Sequence, residues 1–387
     1  ALLGAGDICT FPNDGTLPGL LGRLAGAVGC PADNVLLNAS HTHGGPMLPG
    51  RSLSYRALEG ASASERYRDW LYDQVVEAAR EAAGRLEGGT LWYAEGKTSL
   101  PMNRRPDRDG QVPNAPNPGG PVDDRMQFLV LKDAAGKDAA VGMKLSCHPV
   151  ATGAQHRITA DFVGAWRAEF ARAFGPRVTP FFLQGAGADA RPRHVADGDR
   201  WRALKHAELP GMGQDLLAET LSVLAGNGLR QVDGLVLNGK VSVVQAPCER
   251  LYGTREQLES IRDKDRLHKL YAEAGLGRLA AGEAIPDRVA FRVQTLWLNR
   301  DLALIGLDAE PLCGLGGKVE AAVAPKQAIL LGYTNGCIAY TPDTAEAKRG
   351  GYETTSYLYS GWSGPLRHGV EDLFAGAVLR DAGAGSE

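Results

Sequence analysis

Two histidines separated by one residue, His41-Thr42-His43, close an apolar run that begins at Asn34. A strand that ends in His-x-His puts both imidazoles on one side if the backbone stays extended, as ligands to one metal ion require. The glycines that follow, Gly44 and Gly45, let a backbone approach a ligand closely. A hydrogen-bonded pair of histidines closing a strand accounts for the same pattern. Three further segments carry chemistry-bearing side chains at the ends of apolar runs: Ser146-Cys147-His148-Pro149, Gly306-Leu-Asp308-Ala309-Glu310-Pro311, and Tyr333-Thr-Asn-Gly-Cys-Ile-Ala-Tyr340. A satisfied core histidine, a capping carboxylate and a packed aromatic are the plain readings of these three. Positions 41, 148, 310 and 340 match no local zinc signature such as HExxH, so spacing alone does not join them.

Short apolar runs alternate with amphipathic stretches, which predicts an α/β fold of mixed β-sheets flanked by helices. Strands are expected over Asn34–Ser40, Thr90–Glu95, Gln127–Lys132, Ala140–Ser146, Thr179–Gln184, Leu235–Val244, Val289–Leu298, Leu302–Leu307 and Ala328–Tyr333. Helices are expected over Ser64–Leu86, Gly164–Phe174, Met212–Ala225, Thr254–Ala274 and Pro365–Arg380. Five prolines between Asn103 and Val122 mark a long irregular segment, read as a loop over a site and not as a domain boundary. The first residues, Ala1-Leu-Leu-Gly-Ala-Gly-Asp, look like the end of a strand, so residues upstream are expected, and 382–387 look frayed. No signal-peptide pattern is present in the residues given.

Composition narrows the function classes. The chain has 387 residues with 42 Lys plus Arg against 45 Asp plus Glu, a net charge of −3, which argues against nucleic acid as the main partner. No apolar run reaches the length of a membrane span. Six widely spaced cysteines without a CxxC pair exclude a zinc ribbon or thioredoxin motif and are expected to be free thiols.

The chemistry-bearing segments are joined by a resemblance. NVLLNASHTHGGP (34–46), NRRP (103–106), CHPVATG (147–153), FLQGAGADARP (182–192), Gly306–Pro311 and Tyr333–Thr355 are similar, in this order, to segments of neutral ceramidases and their short bacterial relatives. The match runs from residue 1 to about 370, with HTHxGP its most specific piece. The resemblance implies one ceramidase-like catalytic domain over 1–387, lacking the family's additional C-terminal β-sandwich domain. It implies a Zn²⁺ amide hydrolase whose ion is held by His41, His148, Glu310 and Tyr340, a register that the spacing of Tyr340 and Tyr352 supports. His43 and Arg104 match further active-site positions near the substrate. Such a site brings a bound water towards pKa ~7, while His43 or Arg104 stabilises charge developing on a carbonyl oxygen.

Two departures from that family stand out. Gly187-Ala188-Asp189-Ala190-Arg191-Pro192 has Ala188 where the family has glycine, and Arg191 where it has a serine important to activity. Arginine suits carboxylate or phosphate recognition, and Arg104, Arg105 and Arg193 lie in neighbouring motifs. We therefore expect a small-molecule or oligosaccharide substrate that is anionic, and not long-chain ceramide; pairing of Arg191 with Asp189 or Asp161 is the alternative. Other functions compatible with these residues are a zinc lyase or hydrolase acting on a uronate-type carbohydrate, and an inactive binding protein. A metal-dependent (β/α)₈ barrel also opens with His-x-His, but the remaining histidines supply no second ligand set.

Overall fold

The computed structural model describes residues 1–50, 52–53, 61–226 and 228–383; of the tail expected to fray, 384–387 lie outside the described residues. Ten principal strands and eight principal helices build it. The strands are β1 (Leu2–Gly6), β2 (Val35–Ala39), β3 (Gly89–Lys97), β4 (Arg125–Asp133), β5 (Asp138–Leu145), β6 (Thr179–Gln184), β7 (Asn238–Pro247), β8 (Arg288–Trp297), β9 (Leu302–Leu307) and β10 (Gln327–Leu331). The helices are α1 (Leu17–Val28), α2 (Ala61–Gly84), α3 (Asp161–Phe174), α4 (Leu209–Ala225), α5 (Arg255–Glu259), α6 (Arg266–Ala280), α7 (Cys313–Ala321) and α8 (Val370–Gly383). The fold is α/β with mixed sheets, as the alternation predicts.

Two large sheets pack on each other. One runs Arg230–Gln231, β3, β4, β5, β6, and the other β7, β8, β9, β10. Period-two alternation explains the layering. In β4, Phe128 and Val130 face Trp166 and Phe170 of α3 and Met212 and Leu216 of α4, while Leu129 points to the opposite side. There Leu129 joins Leu183, Leu296, Leu304, Ile329 and Leu331 in a core between the sheets. The far face of the second sheet is covered by Tyr271 of α6, Leu315 and Val319 of α7, and Phe374 and Val378 of α8. The order is helix, sheet, sheet, helix. Strand β9 is buried along all six residues, which its unbroken apolar run Leu-Ala-Leu-Ile-Gly-Leu requires.

Each large sheet contains one parallel pair, and a third forms a two-stranded sheet of its own. β1 pairs with β2 across α1, β5 with β6 across α3, and β9 with β10 across α7. The carboxyl ends of parallel strands are where open α/β sheets bind ligands. Here those of three sheets are tied together by Asn38 of β2. Its Nδ2 donates to Gln184 O at 3.2 Å and Gly332 O at 2.7 Å, and its Oδ1 accepts from Gln184 N at 2.7 Å. Asn335 adds a second stitch, accepting from Leu37 N and donating to Val35 O and Gln294 Oε1.

Several elements differ from the sequence expectation. Thr254–Ala274 is not one helix: Asp265 accepts from His268 N at 2.9 Å and starts α6 afresh after α5, because an Asx N-cap competes with helix continuation. The strand expected from Leu235 starts at Asn238, leaving Leu235, Val236 and Leu237 exposed, and the last helix starts at Val370, not Pro365. Helix α1 had no expectation because Gly19, Gly22 and Gly26 dilute its helical propensity, yet Leu20, Leu21 and Leu24 form a buried stripe. All six cysteines are free. Among the described residues no helix is long and apolar enough to cross a membrane.

Replacing Asn38 by Ala removes its three hydrogen bonds to Gln184 and Gly332 and a fourth, from Nδ2 to Thr334 Oγ1 at 3.2 Å, at a fully buried position, so we expect a loss of about 3 kcal/mol or more in urea unfolding. A loss below about 1 kcal/mol would show that the strand ends hold together without this stitch.

Candidate metal centre and its surroundings

His41 follows β2 and has φ +64°, the left-handed region. The backbone therefore does not stay extended through His-x-His, contrary to the sequence expectation, and the turn at His41 rather than strand alternation directs the two rings. Such strain in a bulky residue persists only where surrounding contacts enforce it. His41 N donates to Ile8 O, and His43 N to Pro149 O, fastening both residues to neighbouring segments.

The two buried imidazoles are oriented alike. His41 Nδ1 donates to Cys9 O at 2.7 Å and His148 Nδ1 to Gly187 O at 2.7 Å. A carbonyl can only accept, so each ring carries its proton on Nδ1 and presents the Nε2 lone pair. Both lone pairs meet one carboxylate oxygen: Glu310 Oε1 lies 3.3 Å from His41 Nε2 and 2.9 Å from His148 Nε2. The ring centroids are 4.8 Å apart. All three residues are buried and their ligand atoms lie within 4.8 Å of one another. Three electron-pair donors facing each other repel unless a proton or a metal ion lies between them. That demand appears in the titration of the three side chains themselves. Burial raises Glu310, but His41 and His148 outweigh it and hold the carboxyl well below its ordinary value. Burial opposes the charged form of His41, yet Cys9 and Glu310 hold its pKa well above normal, whereas burial and Arg104 push His148 down to about 4. Second bonds from ring nitrogens to backbone carbonyls, with Nε2 free, are the usual setting of metal-ligating histidines.

The other sequence candidates surround this group. Tyr340 is the direct register partner of Glu310, because Tyr340–Thr341 pairs in parallel with Glu310–Pro311. Arg104 Nη2 donates to Tyr340 Oη at 3.3 Å, and Tyr352 packs edge-on against Tyr340 with centroids 5.3 Å apart. Burial and Glu310 push the Tyr340 hydroxyl well above its ordinary pKa. His43 opens to solvent, and its Nε2 lies 3.3 Å from His41 Nε2. Burial of its ring and the neighbouring His41 and His148 push it well below the ordinary value. Arg104 is buried and its guanidinium serves Glu353 and Tyr340. Arg105, also buried, is bonded to Glu346 and Glu353. Asn103–Val122 folds around these two arginines: Ala115 N donates to Arg104 O, and Asn117 Nδ2 to Arg105 O.

Tyr333 escaped the sequence reading. It lies two residues beyond β10 with φ +49°, is fully buried, and stacks on His41 with centroids 4.2 Å apart. Its hydroxyl has no hydrogen-bond partner, and burial with nearby Glu310 pushes its pKa well above normal. The signal lay in Tyr333-Thr-Asn335, a left-handed turn just beyond a buried strand.

Comparison with known proteins adds the fold. No protein-family model matches the sequence, and no curated protein matches it. The neutral ceramidase of Pseudomonas aeruginosa matches in structure with a TM-score of 0.69 at 18% identity, over 98% of this chain and 66% of that one. The chain has a neutral ceramidase fold. A ceramidase complexed with C2 matches with the same TM-score and coverage at 17% identity. The chain thus spans just under two thirds of the length of these ceramidases, and the ceramidase fold excludes the (β/α)₈ alternative.

Gly187 fixes His148 from behind, and a Cβ there would lie 2.6 Å from Cys147 N and 2.8 Å from Ser146 C, both backbone. Gly187→Ala should destabilise the protein by about 2 kcal/mol and weaken metal binding through His148; unchanged stability and metal affinity would show that the carbonyl contact is incidental.

Asp189, buried against Cys313 N at 3.1 Å, gives a pH test. Burial raises its pKa from 3.8 to about 6, although the Cys313 N–H favours the carboxylate. The folded state therefore holds this proton more tightly, and stability falls as pH rises from about 4 to 6, by up to about 3 kcal/mol. Asp189→Asn, which keeps the acceptor, should flatten that slope in denaturation measured between pH 4 and pH 7; an unaltered slope would assign it to other groups.

Proposed function

We propose that the chain is a zinc-dependent hydrolase that cleaves an amide bond with water, the ion held by His41, His148 and Glu310, with Tyr340 a conditional fourth ligand. The observation that carries this is the meeting of two Nε2 lone pairs and a carboxylate oxygen in one buried group. The donor set suits zinc, which takes imidazole nitrogen and carboxylate oxygen and keeps a position open in catalytic sites. A bound zinc would lower the pKa of a water and polarise a carbonyl oxygen.

The chain's own residues supply the rest. His43, held neutral, offers Nε2 at the solvent-facing mouth, where it can take the proton that the attacking water gives up and then pass it to the departing amine. Arg104 holds the Tyr340 hydroxyl beside Glu310 and is itself fixed by Glu353. Arg104 is thus a positioning residue in this scheme, and contact with the carbonyl oxygen falls to Tyr340. Tyr333 holds the plane of His41 by stacking.

Metal analysis of the purified protein should find about one zinc per chain, and a panel of N-acyl amides should be hydrolysed in a chelator-sensitive way. Alanine at His41, His148 or Glu310 should weaken zinc binding by roughly 100-fold or more. Tyr340→Phe should keep zinc and lower kcat. Full zinc stoichiometry in His148→Ala would refute the ligand set, and zinc binding without turnover would leave a binding protein.

A further inference from the structure

We infer that Arg191, backed by Trp201, forms a subsite for a carboxylate carried by the substrate next to its scissile amide. This deepens the amide-hydrolase reading and rests on it for what is cleaved, though not for what is bound.

The backbone around Arg191 is tied to the site on both sides. His148 N donates to Ala190 O at 3.1 Å, and Arg104 N to Asp189 O at 2.8 Å. The three-residue strand Ala190–Pro192 pairs with Pro101–Asn103, setting Arg191 opposite Met102, two residues before Arg104. Arg191 therefore cannot move away from the metal-ligating group without disturbing His148. Its side chain is half-buried and its guanidinium lies over the Trp201 ring, 5.4 Å from the centroid. Trp201 Nε1 donates to Asn114 Oδ1 at 3.0 Å, so the loop 103–122 holds the ring in place.

What this guanidinium lacks is an anion. Its Nε is enclosed with no hydrogen-bond partner, and among the described residues the side chain makes no ion pair. The neighbouring buried arginines are both matched: Arg104 with Glu353, and Arg105 with Glu346 and Glu353. The two acids expected as partners are committed elsewhere. Asp189 accepts from Cys313 N, and Asp161 from Ala151, Thr152 and Phe162 N. Burial and the like charge of Arg104 press Arg191 down to about 10, which still leaves it cationic at neutral pH. A cation partly stripped of water and facing another cation is not there for stability. An aromatic face on one side fixes the guanidinium plane and leaves its edge for a flat two-oxygen acceptor, which a carboxylate supplies.

The test uses N-octanoylglycine and its uncharged isostere N-octanoylglycinamide. Calorimetry on metal-free protein separates Arg191 from any metal–carboxylate contact. The wild-type protein should bind the carboxylate roughly 10–100-fold more tightly than the amide, the size of one charge-assisted pair. Arg191→Gln should collapse that ratio towards one, and Arg191→Lys should restore part of it, with the melting temperature and zinc content of each variant reporting that the fold is intact. In turnover by the zinc-loaded protein, Arg191→Gln should lose the same preference through KM. A ratio unchanged by Arg191→Gln overturns the subsite, as does a fall in kcat shared by charged and uncharged substrates, which would place Arg191 on the reacting carbonyl. Tighter binding of octyl phosphate or octyl sulfate than of the carboxylate overturns the choice of anion. If neither amide is hydrolysed but the binding ratio holds, the hydrolase reading fails and the subsite stands.

Discussion

A carboxylate buried against two imidazole lone pairs is the constraint around which this molecule is arranged. Glu310 is buried, and because Nδ1 of each imidazole is bonded to a backbone carbonyl, only a second proton on a ring, at Nε2, or a cation can answer its charge. Burial of an uncompensated carboxylate is expensive enough that the group must be neutralised, paired or coordinated. The structure fixes the geometry of that demand before any cation arrives, since both Nδ1 protons are committed to Cys9 O and Gly187 O. Holding three donors in mutual repulsion requires rigid backbone behind each one, and that backbone comes from different sheets.

The three parallel pairs explain how distant sequence positions meet. His41 lies beyond β2, His148 beyond β5, and Glu310 beyond β9. Ligand sites at the carboxyl ends of parallel strands are a general property of α/β sheets, but here the ends belong to three sheets, not one. Asn38 and Asn335 do the joining, because side-chain amides can bond backbone groups of strands that do not pair with each other. Asn38 sits inside the fully buried strand β2, where the apolar pattern would favour a hydrophobic residue, and Asn335 in the left-handed turn beyond β10. A large polar network in a core is stable only when every member is satisfied, and this one is.

Local pattern made part of this legible. Strands Thr179–Gln184 and Leu302–Leu307 are found where expected, since unbroken apolar runs bounded by turn residues leave little choice. The convergence of His41, His148 and Glu310 was not legible from spacing, because it depends on sheet packing between residues more than a hundred positions apart; only resemblance joined them. Extended backbone through His41-Thr42-His43 failed for a related reason: hydrogen bonds to Ile8 and Pro149 force the turn, and neither partner is local in sequence. Tyr333 was passed over because an aromatic residue at a strand end looks like core, and its orphan hydroxyl exists only in three dimensions.

Charge separates the arginines that sequence alone groups together. Arg104, Arg105, Arg191 and Arg193 sit in neighbouring motifs, and composition gives no reason to rank them. In the fold, Arg105 is enclosed by Glu346, Glu353 and carbonyls, and Arg193 Nε donates to Ser99 O near the surface. Arg104 divides itself between Glu353 and Tyr340. Each of these three has its charge or its donors answered within the chain, whereas Arg191 has an aromatic ring and no anion. With a divalent cation at Glu310 the local charge would be still more positive, because one carboxylate cannot offset both the ion and Arg191. A neutral amide entering such a site would meet an unbalanced field, and an amide with a carboxylate would complete it. The same field would draw anionic substrates towards the His43 mouth, although the whole chain carries a net charge of −3, since local potential in a low-dielectric cleft follows the nearest unscreened charges and not the sum over the surface.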